Sequence, residues 1–230
     1  MLRSHRPSLA LVLCGVVCGV LLGPAISGGL NAANWPRFRG PNGVGVAETE
    51  GLPVHFGPEQ NVVWKTLLPP GHSSPVLSEN HIFLTATEDG QLFTIYLERE
   101  SGKILWRRPG PRPREESFHP NNGPASPSPV TDGRNVYVFF GDFGLLSYGP
   151  DGEERWRYAA DPFSTPNGHG TSPILVDGMV ILMSDQDRAS FLLALDQENG
   201  SVRWRTERPE AVHGYSTPSL YQPGGGPRKS

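Results

Sequence analysis

Four histidines, His72, His119, His169 and His213, stand in short polar segments that recur along the chain: PGHSSP, FHPNNGPASP, NGHGTSP and VHGYSTP. Imidazoles converging on one point would bind a transition metal or orient an anionic ligand. They lie 3, 10, 4 and 5 residues ahead of the prolines Pro75, Pro129, Pro173 and Pro218, so they need not face one point. The simpler expectation is that His, Ser and Asn here satisfy backbone groups where strands begin. The four are metal candidates of the weakest kind, and no metal is assigned to them.

Other chemistry fails more quickly. Asp185 and Asp187 sit in SDQDRAS without the Gly and distal Glu of a calcium loop. Gly-rich phosphate loops, His-Glu-x-x-His helices and Gly-x-Ser-x-Gly elbows do not occur, so no residue is assigned a catalytic role. The 20 Lys and Arg against 23 Asp and Glu give a formal charge of -3 with the cations scattered, which disfavours nucleic-acid binding. A run from Arg107 to Arg114 includes PRPRE and reads as a solvated, extended loop between two repeats, or equally as an exposed contact surface.

The N-terminus reads as a targeting signal. Arg3, His5 and Arg6 precede an uncharged run from Leu9 to Leu22, and Gly23, Pro24 and small residues follow. Cleavage after Ser27 is expected, with cleavage after Ala32 or Ala33 as alternatives; without cleavage, residues 9–22 would act as a membrane anchor, and export follows either way. Cys14 and Cys18, the two cysteines, both lie in that run, so the exported chain would have neither a disulfide nor a thiol nucleophile.

The elements that must position any site repeat. SSPVLSENHIFL, SPSPVTDGRNVYVFF and TSPILVDGMVILM each read as a Ser-Pro opening, a short strand, a tight turn and a second strand, and STPSLY begins a fourth copy. The four prolines are 54, 44 and 45 residues apart, the period of propeller blades. Each copy then ends alike: SGKILW, DGEERW and NGSVRW place Trp106, Trp156 and Trp204 four residues after Gly102, Gly152 and Gly200. Type I′ turns are expected at Asp132-Gly133, Asp151-Gly152, Asp177-Gly178 and Asn199-Gly200, with Asp89-Gly90 as a further site. The 28 Gly and 24 Pro fit many turns, and the 37% hydrophobic content fits a buried core. The expected fold is all-β: a partial β-propeller of four-stranded antiparallel blades, about three complete and a fourth begun. The recurring Trp should wedge between blades and give its N–H to a neighbouring carbonyl.

ALDQENGSVRW, from Ala194 through Asp196 and Gly200 to Trp204, resembles the pyrroloquinoline-quinone-type repeat Ala-x-Asp-x-x-Thr/Asn-Gly-x-x-x-Trp. YLERESGKILW keeps Gly102 and Trp106, and LSYGPDGEERW keeps Gly152 and Trp156. NWPRFRGPNGVGV, followed by NVVWK, looks like the opening of exported quinoprotein-like propellers, many related to the outer-membrane protein assembly factor. WD and kelch repeats fit less well: Lys65, Arg107, Arg157 and Arg205 stand where a WD repeat has Asp, and the Gly doublets of kelch blades are missing.

The expected domain plan is a signal peptide 1–27, an N-terminal lead-in 28–60, repeats 61–221 and a tail 222–230. NVVWK would supply the outer strand that closes the last blade, and the chain is expected to be a fragment of a longer ring. The function expected is an exported non-catalytic scaffold with a protein partner and no cofactor. Two alternatives stand beside it. One is part of a quinone-dependent alcohol dehydrogenase, for which the resemblance implies pyrroloquinoline quinone with calcium; the other is a metal- or glycan-binding propeller.

Overall fold

The computed structural model describes residues 34–47 and 49–221. The leader with Cys14 and Cys18, the anchor segment 9–22 and the tail 222–230 lie outside the described residues. The described chain is all-β, with twelve strands and one 3-10 turn, Pro41–Gly43.

The strands form three antiparallel sheets of four, each in sequence order. The first holds β1 (Val76–Leu77), β2 (His81–Glu88), β3 (Gln91–Glu98) and β4 (Ile104–Gly110). The second holds β5 (Val130–Thr131), β6 (Val136–Phe140), β7 (Gly144–Tyr148) and β8 (Glu154–Ala159). The third holds β9 (Ile174–Val176), β10 (Met179–Ser184), β11 (Phe191–Asp196) and β12 (Val202–Glu207). These are the blades that the proline and Trp periods predict. The short strands β1, β5 and β9 lie side by side, so they are the inner edge of the stack. Residues 216–221, expected to open a fourth blade, form no strand.

Stacking is driven by the period-2 geometry of strands. In β6 every residue is buried, and its two faces serve different neighbours. Val136, Val138 and Phe140 join Val76, Phe83, Tyr96 and Trp106 of the first blade. Tyr137 and Phe139 join Val180, Leu182 and Leu193 of the third. The middle blade is therefore apolar on both faces, which is why VYVFF carries no polar alternation. Each fully buried residue of this size contributes roughly 1.5–3 kcal/mol against exposure.

Turn geometry departs from expectation in part. Asp89-Gly90 and Asp177-Gly178 have positive φ at both residues, as type I′ turns require. At the Gly133, Gly152 and Gly200 sites only the glycine does. The Gly102, Gly152 and Gly200 turns are longer, and each follows a β-bulge at the same repeat position: between Tyr96 and Leu97, Ser147 and Tyr148, Ala194 and Leu195. The bulge re-aims the outer strand. The glycine is needed because an indole from the preceding repeat lies on it.

That indole forms the repeating joint between blades. Trp106 Nε1 donates to the Pro150 carbonyl at 2.8 Å, and Trp156 Nε1 to the Gln197 carbonyl at 2.9 Å. Trp64 of NVVWK makes the same joint ahead of the first blade, donating to the Arg99 carbonyl at 3.0 Å and lying over Gly102. Residues 61–65 form no strand, yet their Trp takes the repeat position. Trp204, on the fully exposed β12, has no such partner among the described residues.

The Arg107–Arg114 run is not a solvated loop. Arg108 donates to the carbonyls of Gly152 and Asp151 in the next blade. Arg112 joins the Gly90 carbonyl to the buried carboxylate of Asp142, at 2.7 and 2.5 Å. Arg114 donates to Gly141, Ala160 and Asp161 carbonyls and to Glu116. Five donors on a planar fork let one side chain satisfy several carbonyls where two blades meet.

Candidate functional site

The loops that open each blade gather around the inner edge, built on a ladder of hydroxyls. The residue before each marker proline donates its N–H to the hydroxyl of its counterpart in the next copy. Ser74 donates to Ser128 at 2.9 Å, Ser128 to Ser172 at 3.0 Å, and Ser172 to Thr217 at 3.0 Å. The following proline has no N–H and holds its predecessor extended, so a side-chain hydroxyl is the available lateral link. Thr217 shows that the fourth copy, though strandless, keeps its place in the ladder.

Above the ladder the loops are joined by amides. Asn122 Nδ2 donates to the Asn167 carbonyl at 2.6 Å, and Asn167 Nδ2 donates to the Tyr215 hydroxyl at 2.9 Å. The His119 N–H reaches the Asn167 carbonyl at 3.3 Å. Together His119, Asn121, Asn122, Asn167, Gly170 and Tyr215 line an open cleft of about 540 Å³. It presents one imidazole, three amides and one phenol, a set suited to hydrogen-bonding and stacking.

The four candidate histidines occupy separate environments. His72 is exposed and lies against Gly123. His119 is exposed at the cleft, its Nδ1 accepting from the Asn121 N–H at 3.1 Å. His213 pairs through Nδ1 with Asp187 Oδ1 at 2.6 Å, while Arg208 takes Asp185. His169 is buried, with Phe139 and Phe163 edge-on at 5.2 and 4.4 Å. Its Nε2 has no hydrogen-bond partner. Burial, aided by the positive charge of Arg114, pushes its pKa down to about 4, so the ring is neutral at pH 7. Among the described residues, no three His, Cys, Asp or Glu side chains gather to hold a metal.

The repeat residues serve the scaffold. Gly102, Gly152 and Gly200 carry the docked indoles of Trp64, Trp106 and Trp156. Asp196 accepts from the N–H groups of Glu198 and Asn199 at 2.9 and 3.0 Å and pairs with Arg203, ordering the turn that leads to Trp204. Arg203 and these N–H bonds hold its carboxyl below its usual range.

A second polar network ties blade two to blade three. Tyr137 donates to Asp132 at 2.8 Å, and Gln197 Nε2 reaches the same carboxylate at 3.0 Å. Burial and the adjacent Asp132 push the Tyr137 phenol up to about 12, so it remains a donor.

Sequence reasoning missed Tyr215, Asn122 and Asn167. Their only signal is placement in the same loops as the four histidines, since partners 45 and 48 residues apart are not marked by local pattern.

Residues 96–225 match the model of a family described as outer membrane protein assembly factor BamB. A curated relative, outer membrane protein assembly factor BamB of Alkalilimnicola ehrlichii, is 29% identical over 144 residues, covering 62% of this chain and 34% of the relative. The match thus spans about a third of that relative's length. Among solved structures, a quinohemoprotein alcohol dehydrogenase from Pseudomonas putida is 16% identical with a TM-score of 0.46, over 63% of this chain and 22% of its own. BamB from Moraxella catarrhalis is 16% identical with a TM-score of 0.43, over 63% and 39%.

Proposed function

We propose, from the premise that the chain belongs to the outer membrane protein assembly factor BamB family of quinone-type repeat propellers, that it is an exported, non-catalytic scaffold whose blade-opening loops bind a protein partner. The observation that carries this reading is the chain of bonds from Asn122 through Asn167 to Tyr215. It links three copies across an open cleft, and loops already linked in this way lose less entropy when a partner docks. The basic, apolar and small-residue order of residues 1–27 supports export.

A calcium-held quinone fits the mouth poorly. Calcium takes six to eight oxygen ligands, carboxylates prominent among them. The inner ladder offers Ser128, Ser172 and Thr217 hydroxyls already accepting N–H groups, and the cleft lining has no carboxylate. We assign no cofactor and derive no step through one.

A photo-crosslinking residue at Asn121 of the exported chain tests the scaffold. One discrete protein adduct is expected, lost in Tyr215→Ala and absent when the probe replaces Arg157 on the blade exterior. Stoichiometric quinone binding with dye-linked alcohol oxidation would overturn the reading.

A further inference from the structure

The lead-in segment NWPRFRGPNG crosses the inner edge of the stack. Trp35 pairs with Leu77 through both backbone groups, at 2.8 and 2.9 Å, and the Pro36 carbonyl accepts from the Thr131 N–H at 2.9 Å. Asn42 exchanges hydrogen bonds with Leu220, 3.0 Å each way. One short segment is thereby fastened to the first, second and fourth copies.

This path buries a guanidinium. Arg37 is 7% exposed, one Nη donates to the Pro218 carbonyl, and Nε has no partner. It forms no ion pair among the described residues, and burial lowers its pKa. A buried cation without a counter-charge is costly and calls for an anion.

The surroundings are built for one. Arg37 and Arg39 line a cavity of about 210 Å³ with Ser216, Thr217 and Ser219, and no acidic residue lines it. Arg39 is exposed at the rim and likewise forms no ion pair among the described residues. Gly43, at φ 70°, leaves the room that the Arg37 guanidinium and Ser219 use: a Cβ there would sit 3.2 and 3.1 Å from them. The Ser216 and Ser219 hydroxyls make no hydrogen bond among the described residues, leaving both as donors.

We propose that this cavity is a binding site for a small tetrahedral oxyanion, inorganic phosphate or sulfate, held between Arg37 and Arg39 with Ser216 and Ser219. Two guanidinium groups and two hydroxyls offer more donors than a planar carboxylate has lone pairs to accept, whereas a tetrahedral anion offers four oxygens. The cavity shares one wall residue, Tyr215, with the cleft at His119, but none of the four proposed anion donors lines that cleft.

Titration calorimetry of the purified chain with inorganic phosphate, at constant ionic strength, is the test. Saturable one-to-one binding is expected, with sulfate competing and acetate competing at least about tenfold less well. Arg39→Gln, at an exposed position that should leave folding intact, is expected to weaken phosphate about tenfold or more. Arg157→Gln, on the exterior of β8, should leave it unchanged. Absence of saturable binding up to ~10 mM phosphate, equal affinity in Arg39→Gln, or acetate competing as well as sulfate would each overturn the proposal.

Discussion

The indole of Trp156 occupies the space that a β-carbon on Gly200 would need. An ideal Cβ would lie 2.7 Å from the ring, and Gly200 sits at φ 73°. The recurring Gly-x-x-x-Trp spacing is therefore two halves of different joints: the glycine receives the previous blade's indole, and the Trp four residues on, at Trp106 and Trp156, is delivered to the next.

Gly152→Ala and Gly200→Ala should each cost about 2–4 kcal/mol, because a methyl adds a clash with the indole to the cost of positive φ. Gly133→Ala meets nothing within 4 Å at φ 98° and should cost about 1 kcal/mol. Urea unfolding of the three variants compares them; equal losses would show that the indole contact adds nothing.

Trp156→Phe keeps most of the apolar surface and removes the bond to the Gln197 carbonyl, for an expected loss of about 1–2 kcal/mol. Trp204→Phe, at an indole 36% exposed with no such partner among the described residues, should stay within about 0.5 kcal/mol in the 230-residue chain. A larger loss at Trp204 would contradict the docking assignment.

Ser128→Ala and Ser172→Ala break single rungs of the ladder and strand the N–H groups of Ser74 and Ser128. Each should destabilise by about 1–3 kcal/mol, and Ser172→Thr should recover most of it, since Thr217 already serves that role. Hydrogen exchange at the Ser74 and Ser128 amides reports the same event locally: both should exchange faster in the corresponding alanine variant.

His169 makes stability depend on pH. Its folded pKa of about 4 lies below the ordinary imidazole value of 6.5, so between these values the unfolded chain binds more protons. Its full contribution is present above pH 6.5, falls as pH drops toward 4, and changes no further below that. The loss is of order 3 kcal/mol at most. His169→Phe, which suits the Phe139 and Phe163 cluster, should flatten the stability profile across this window, as read by denaturant midpoints at pH 7 and 4.5.

Much of the fold is legible because it is local. Short runs of Val, Ile, Tyr and Phe, Asp-Gly turns and the Ser-Pro and Gly-x-x-x-Trp spacings can each be read within one repeat, and similar repeats stack by the same contacts. The ladder is half legible: Ser-Pro marks the positions, but the hydroxyl's partner belongs to another copy. The arginine run misled because PRPRE looks extended and solvated, whereas Arg112 and Arg114 meet carbonyls and carboxylates at the seam between blades.

By itself the sequence determined an all-β repeat of blades, the residues that join them and the polar loops that open each blade. Only the tertiary structure decided which histidine is buried and neutral, that Tyr215 meets Asn167, and that Arg37 is drawn across the inner edge to a carbonyl 181 residues away. The reason is range. Strand period and turn chemistry are properties of a few neighbouring residues, while desolvation and side-chain pairing depend on which distant segments the stacked sheets bring together.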